Sequence, residues 1–354
     1  MNNRPTVSIA PITAADKRAL REALREAGVF ERSPMRSWAQ LALMTTLAGL
    51  SVWQMWIIDG PERWGFAALA GLWLTVGAML GHEGCHRSHA ASALHNALFS
   101  ACAFPLLSGL SATYWSHKHN RLHHAHPNDV DLDPDVNIRP MAGHQEAYER
   151  TKGAQRALQR YAQAWVFWPL ASQLHWALRW SSAKHITLLL RSRQWSVDLW
   201  LDIVGLIAHF GLWIALPATW FGLGPALLAY QVIWSVVGLL LTAIFAPAHM
   251  GLPLLDQRGG KELDGWLKQL LTTRNIELPW GMNWSFVGLQ YQVEHHLFPK
   301  IPHYNLPAAA DIVRLWAEER GLPYQEIGLL SGLIDVTAYL DGAWQTGPVD
   351  VVTG

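Results

Sequence analysis

Three stretches without a single Asp, Glu, Lys or Arg dominate the chain: Ser37 to Ile58, Trp64 to Gly81 and Ile203 to Leu255. A helix needs about 20 apolar residues to cross a ~30 Å hydrocarbon core, because each residue adds ~1.5 Å. The first two runs suit one crossing each. The third suits two, with the "FGLGP" segment at 221–225 as the break. The expected fold is therefore an all-α integral membrane protein with four transmembrane helices, at 38–58, 64–81, 199–220 and 225–246, in two hairpins. Composition agrees. Only 15% of the 354 residues are charged, against roughly 25% in soluble domains. Twenty tryptophans suit a chain that meets membrane–water interfaces.

Flanking charge sets the orientation. Arg4, Lys17, Arg18, Arg21, Arg25, Arg32 and Arg36 precede the first run, while the first hairpin loop is "DGPER" and the second is uncharged. Positive loops stay in the cytoplasm. The expected organisation is a cytoplasmic amphipathic tail (1–37), a first hairpin (38–81), a cytoplasmic cap segment (82–198), a second hairpin (199–248) and a second cap segment (249–354). The tail is too charged for a signal peptide. A bacterial inner membrane fits this pattern. Zero formal net charge argues against a nucleic-acid partner. Two cysteines, Cys85 and Cys102, exclude a disulfide scaffold.

Two segments need separate reading. Leu94 to Trp115 is uncharged but carries Pro105, Gly109 and several hydroxyl side chains, so a buried or re-entrant segment is expected. The Trp-rich stretch at 164–180 is expected along the cytoplasmic membrane surface.

The histidines are clustered. "HEGCH" holds His82 and His86, "HKHNRLHHAHPN" holds His117, His119, His123, His124 and His126, "FAPAHMGLP" holds His249, and "QVEHH" holds His295 and His296. Under four crossings every cluster emerges on one side; a crossing at 94–115 would separate them. Residues four apart share a helix face, so His82/His86 and His119/His123 are each expected to grip one metal. An adjacent residue turns by ~100°, which aims His124 at a neighbouring centre and divides His295 from His296 likewise. Such doublets suit two metals side by side. His95, His175, His185 and His209 read as core histidines, and His89, His144 and His303 as exposed or interfacial ones.

Two rivals deserve weight. "HEGCH" is also H-E-x-x-H, the zinc-protease motif with Glu83 as base, and its place at a helix end would suit an intramembrane protease. One catalytic zinc takes three protein ligands, which leaves two clusters unexplained. A metal transporter would hold its ligands near the bilayer midplane, not at helix ends.

Taken together, "HEGCH", "KHNRLHHAHPNDVDLDPDV", "FAPAHMGLP" and "TTRNIELPWGMNWSFVGLQYQVEHHLFPKIPHYNLP" resemble the histidine boxes of the membrane fatty acid desaturases, a di-iron superfamily that also contains hydroxylases. The resemblance runs from about His82 to the C-terminus. It implies two iron ions held by His82, His86, His119, His123, His124, His249, His295 and His296, in a cytoplasmic cap over four transmembrane helices. Gln292 stands where other branches carry a further histidine, and Asp133 and Asp135 match an outer Asp-Pro-Asp pair. Ala248 and Met250 depart from the family's Asn and Lys beside the isolated histidine, and "VGLQYQ" departs from its Gly-Gly-Leu-Asn-Tyr-Gln.

The resemblance implies an O2-dependent oxidation of a fatty acyl chain, with desaturation first. Hydroxylation, or decarboxylation of a free acid to a terminal alkene, are the alternatives with the same chemistry. The partners implied are a fatty acid or acyl carrier, membrane lipids, and an electron-transfer protein with its reductase. No His-Pro-Gly-Gly haem segment is present, so electrons would come from a ferredoxin or cytochrome-type donor. Eight basic residues (Arg150, Lys152, Arg156, Arg160, Arg179, Lys184, Arg191 and Arg193) either anchor the membrane edge or meet an anionic head group.

Overall fold

In the computed structural model, which describes residues 4–257 and 263–353, the chain is about two-thirds helical and divides into two compact units. One comprises Arg32–His117 and Pro169–Thr242; the other comprises Met1–Glu31, Lys118–Trp168 and Ala243–Gly354.

The first unit holds most of the apolar helices. Pro34–Ile57 starts on a proline, whose missing N–H costs nothing in a first helical turn. Its partner is Arg63–Cys85. They enclose a core of Ala48, Met55, Ala67, Ala70 and Leu74 with Tyr230, Ile233, Trp234 and Val237. Among the described residues, three helical stretches are long and apolar enough to cross a membrane: Arg63–Cys85, Val197–Phe221 and Leu223–His249. Pro34–Ile57, expected as the first span, has the length but is diluted by Gln40, Thr45, Thr46, Ser51 and Gln54. Val197–Phe221 loosens into a π-helical turn at Gly211–Ala215.

The run at 94–115 is not a straight span. Ala93–Ser108 and Ala112–His123 meet at 108°. The bend turns on Gly109, which has φ 65°, a conformation that glycine adopts without a Cβ penalty. Asp202, with no exposed surface, locks the far side of the turn. Its carboxylate accepts from the Ser111 and Thr113 hydroxyls at 2.6 and 2.5 Å and from the Ala112 and Thr113 backbone N–H groups at 2.8 and 3.0 Å. The 164–180 stretch breaks into Gln163–Ala171 and Leu174–Arg191 and exposes Trp165, Trp176 and Trp180.

The second unit corrects the all-α expectation. It contains two small parallel sheets, Thr6–Ile9 with Asp350–Thr353 and Asn275–Glu277 with Glu326–Gly328. Strands of three or four residues are too short to show a two-residue period. The N-terminal segment is also more than a tail. Ala14–Glu26 opens with a Thr13/Asp16 capping box and buries Leu20 and Leu24 in a core with Leu267, Leu270, Val293, Val313 and Trp316. Arg320 pairs with Asp16 at 2.9 Å.

Candidate metal centre

Within the second unit, the box-2 histidines lie at the end of a π-helix, Ser116–His123. Its backbone bonds run from residue i to i−5, as in His124 N–H to His119 C=O at 2.9 Å. Residues five apart therefore share a face, and this changes the pairing expected from α-helical spacing. His119 joins His124, their Nε2 atoms 3.1 Å apart, and not His123. His295 joins them, with its Nε2 3.0 Å from that of His124. His123 turns to the other side, where one ligand nitrogen each from His123, His249 and His296 lie within 4.8 Å of one another. The adjacent pair His295 and His296 is divided as expected, one ring to each group.

The second group fixes which nitrogen each ring presents. His123 Nδ1 lies 2.9 Å from Asp133 Oδ2, and His249 Nδ1 lies 3.1 Å from the Thr272 carbonyl. His296 Nδ1 lies 2.8 Å from Gln269 Oε1. The Gln269 amide is itself oriented, because its Nε2 donates to the His124 carbonyl at 2.7 Å. A carboxylate, a carbonyl and an amide oxygen accept only. All three Nδ1 atoms therefore carry the proton, which leaves every Nε2 with a lone pair. His296 Nε2 is buried and has no hydrogen-bond partner among the described residues. An imidazole nitrogen left bare in a buried cluster is what a metal would satisfy. The donor set fits a metal ion.

Burial also keeps the rings of His295 and His296 neutral. Burial first, then repulsion from neighbouring histidines, pushes His295 down to about 3 and His296 well below its ordinary value. Neutral imidazole is the ligating form.

The other expected residues sort as follows. His82 and His86, at the end of Arg63–Cys85 in the first unit, bring their Nε2 atoms to 3.1 Å, as four-residue spacing on a helix predicts. Asp133 meets His123, while Asp135 pairs with Lys118 and stands 3.7 Å from His123. Gln292 is buried, donates to the Leu289 carbonyl at 2.7 Å, and belongs to neither group of ligand nitrogens. His117 stacks on His185. His209 is a satisfied core residue, bonded to the Leu106 carbonyl and the Tyr230 hydroxyl. Three expectations fail: His95 is exposed, whereas His89 and His144 are buried. His89 folds back onto Phe99, ring on ring at 3.9 Å.

Sequence reasoning missed Gln269 and Glu294. Glu294 is wholly buried between Asn275 and Tyr324, at 2.9 Å from each, and burial raises its carboxyl to about 7. The available signal was weak: Gln269 follows Lys268 in the amphipathic "LKQLL" of Gly265–Thr272, yet lies on its buried face with Leu267 and Leu270. Losing an outer partner of a metal-bound histidine typically costs 10–100-fold in metal affinity. Gln269→Leu should thus release metal about that much more readily in a chelator titration, while Gln269→Glu, which keeps the acceptor for His296 but loses the donor to the His124 carbonyl, should fall between it and wild type.

The fatty acid desaturase family model matches residues 61–328, most of the chain and all of the histidine clusters. This chain belongs to the fatty acid desaturase family. It is an oxidoreductase of fatty acid desaturation, and membership implies fatty acyl substrates and lipids. Among curated relatives, it is 27% identical over 331 residues to the acyl-lipid (8-3)-desaturase of Rebecca salina, covering 92% of this chain and 74% of that one. It is 29% identical over 336 residues to the Delta(8)-fatty-acid desaturase of Euglena gracilis, covering 92% and 78%. To fatty acid desaturase 3 of Bos taurus it is 26% identical over 327 residues, covering 91% and 71%.

Proposed function

We propose that this desaturase holds two iron ions and uses O2 with two externally supplied electrons to convert a –CH2–CH2– unit of an acyl chain into a cis double bond. The observation that carries the reading is the pair of buried imidazole groups, one with every Nδ1 anchored and every Nε2 left to bind. His82 and His86 are proposed as the remaining ligands, on their shared helix face and the resemblance of "HEGCH" to the family's first box.

Bound iron would supply the oxidising power that takes one hydrogen atom from each of two adjacent carbons, while O2 leaves as two waters after accepting two electrons and two protons. The chain's own contribution is position and dryness. Asp133, Thr272 and Gln269 hold three rings in register, and burial of His295 and His296 keeps water and protons away from their ligand atoms. The orientation proposed is cytoplasmic for the tail, the 82–198 segment and the C-terminal segment, on the strength of the basic residues from Arg4 to Arg36. A ferredoxin or cytochrome-type protein and its reductase are the proposed electron source. The protease reading is not needed for a member of this family, and Glu83 is buried and accepts from the Ser37 hydroxyl at 2.8 Å.

The test is aerobic turnover of acyl substrates offered as free acid, CoA ester, acyl carrier protein and phospholipid, with a reductase system and mass spectrometry of the products. We expect an unsaturated product that requires both O2 and the donor, from protein carrying close to two irons. Turnover without O2, or one stoichiometric zinc with cleavage of a membrane peptide, would overturn the proposal.

A further inference from the structure

The helix Gly265–Thr272 passes through Thr273, in an extended conformation, into the strand Asn275–Glu277. Arg274 stands between them, buried with 6% of its surface accessible. Its donors converge on the backbone around His249. Nε donates to the Pro247 carbonyl at 2.6 Å, one Nη to the Met250 carbonyl at 3.1 Å, and the backbone N–H to the Ala248 carbonyl at 3.0 Å. The last carbonyls of a helix have no partner within it, and Leu223–His249 ends on the ligand histidine itself. Arg274 therefore answers the carbonyls on both sides of His249, and a cation at this end also suits the helix dipole. Its other Nη pairs with Asp335 at 2.8 Å.

Asn275 serves the other ligand segment. The helix Gln292–Leu297 has six residues and no side-chain cap of its own, too few to hold a helix or its direction unaided. Asn275 Oδ1 accepts from the Val293 N–H at 2.9 Å. Its Nδ2 donates to Glu294 at 2.9 Å and to the Tyr324 hydroxyl at 2.8 Å, and that hydroxyl donates to the other Glu294 oxygen at 2.9 Å. His295 and His296 follow directly. Successive side chains on extended backbone point to opposite sides, so neighbours 274 and 275 can each hold a different ligand segment.

We propose that Arg274 and Asn275 are positioning residues, which together set the spacing between His249 and the helix of His295 and His296. The inference rests on the two-iron reading. It also separates the two residues: His249 shares one group with His123 and His296, so Arg274 governs that group alone, while Asn275 governs both.

The experiment measures iron per chain and Fe(II) release to a chelator, for the full-length protein in detergent. Arg274→Met should release one of two irons at least about ten-fold more readily, the low end for a group that acts behind a metal ligand, and hold the other as wild type does. Asn275→Ala should loosen both. Asp335→Asn, which leaves every carbonyl contact of Arg274 in place, should keep both. Arg274→Lys has one nitrogen for two distant carbonyls and should lose the same single iron to a smaller degree, which serves if Arg274→Met does not fold. Folded Arg274 variants that keep both irons overturn the proposal, and so does loss of both irons in step with unfolding. Asp335→Asn as damaging as Arg274→Met also overturns it, and reduces Arg274 to an ion-pair partner. Wild-type protein without stoichiometric iron overturns the two-iron reading, and this proposal with it.

Discussion

Alanine at His296 is expected to abolish turnover and remove most of the bound iron. His296 Nε2 is the buried nitrogen without a protein partner, and its Nδ1 is already committed to Gln269. The ring has no structural duty on the metal-facing side that alanine would disturb, so the loss should appear in metal content before it appears in the fold. His295→Ala should lose iron too, through the other group, where its Nε2 stands 3.0 Å from that of His124. His303 is the internal control. It follows Pro299 and Pro302, begins a short 3-10 turn and belongs to neither group of ligand nitrogens, so His303→Ala should keep most of its iron and activity. The measurements are iron per chain and product formed, for three variants matched for monodispersity in detergent. His296→Ala that keeps both iron and turnover would sink the two-metal reading. Iron loss in His303→Ala as complete as in His295→Ala would mean that the ligand set is wrong.

The parts legible in the sequence were those set by long-range composition. Uncharged runs located the helices around 63–85, 197–221 and 223–249, since a membrane-length apolar stretch has few other uses. Histidine clustering located the residues that converge. Local geometry was less legible. The ligand pairing in box 2 depends on a π-helix, and a sequence read at 3.6 residues per turn pairs His119 with His123 where five-residue spacing pairs it with His124. Such turns are rare and often mark functional sites, so the spacing rule failed where the chemistry is concentrated. Gln269 and Asp202 were missed for another reason. Asp202 acts on residues about 90 positions away, and Gln269 on residues 27 and 145 positions away, so neighbouring sequence shows the partners of neither. The position of Asp202 was noticed only as the boundary of an uncharged run.

That boundary residue carries the largest stability effect expected in the first unit. Asp202→Ala removes one carboxylate and leaves four donors, two hydroxyls and two backbone N–H groups, facing a space that alanine does not fill. The hydroxyls can rotate toward other acceptors; the N–H groups of Ala112 and Thr113 cannot. Each buried donor left unsatisfied is worth ~1–3 kcal/mol, so a total of about 3–5 kcal/mol is expected. For a unit of this size that corresponds to an unfolding midpoint lowered by about 10 °C. Asp202→Asn should fall between the two, because it keeps one acceptor but turns an amide donor toward one N–H. Activity should drop further than stability alone predicts. The turn that Asp202 holds leads within a few residues into the π-helix of box 2, and a shift at Thr113 is expected to carry along the chain into that helix. The decisive comparison is thermal unfolding and turnover of both variants below their midpoints. Asp202→Ala with wild-type unfolding would show that the four contacts are dispensable. If it unfolds early but is fully active when folded, the turn does not set the register of the histidines that follow it.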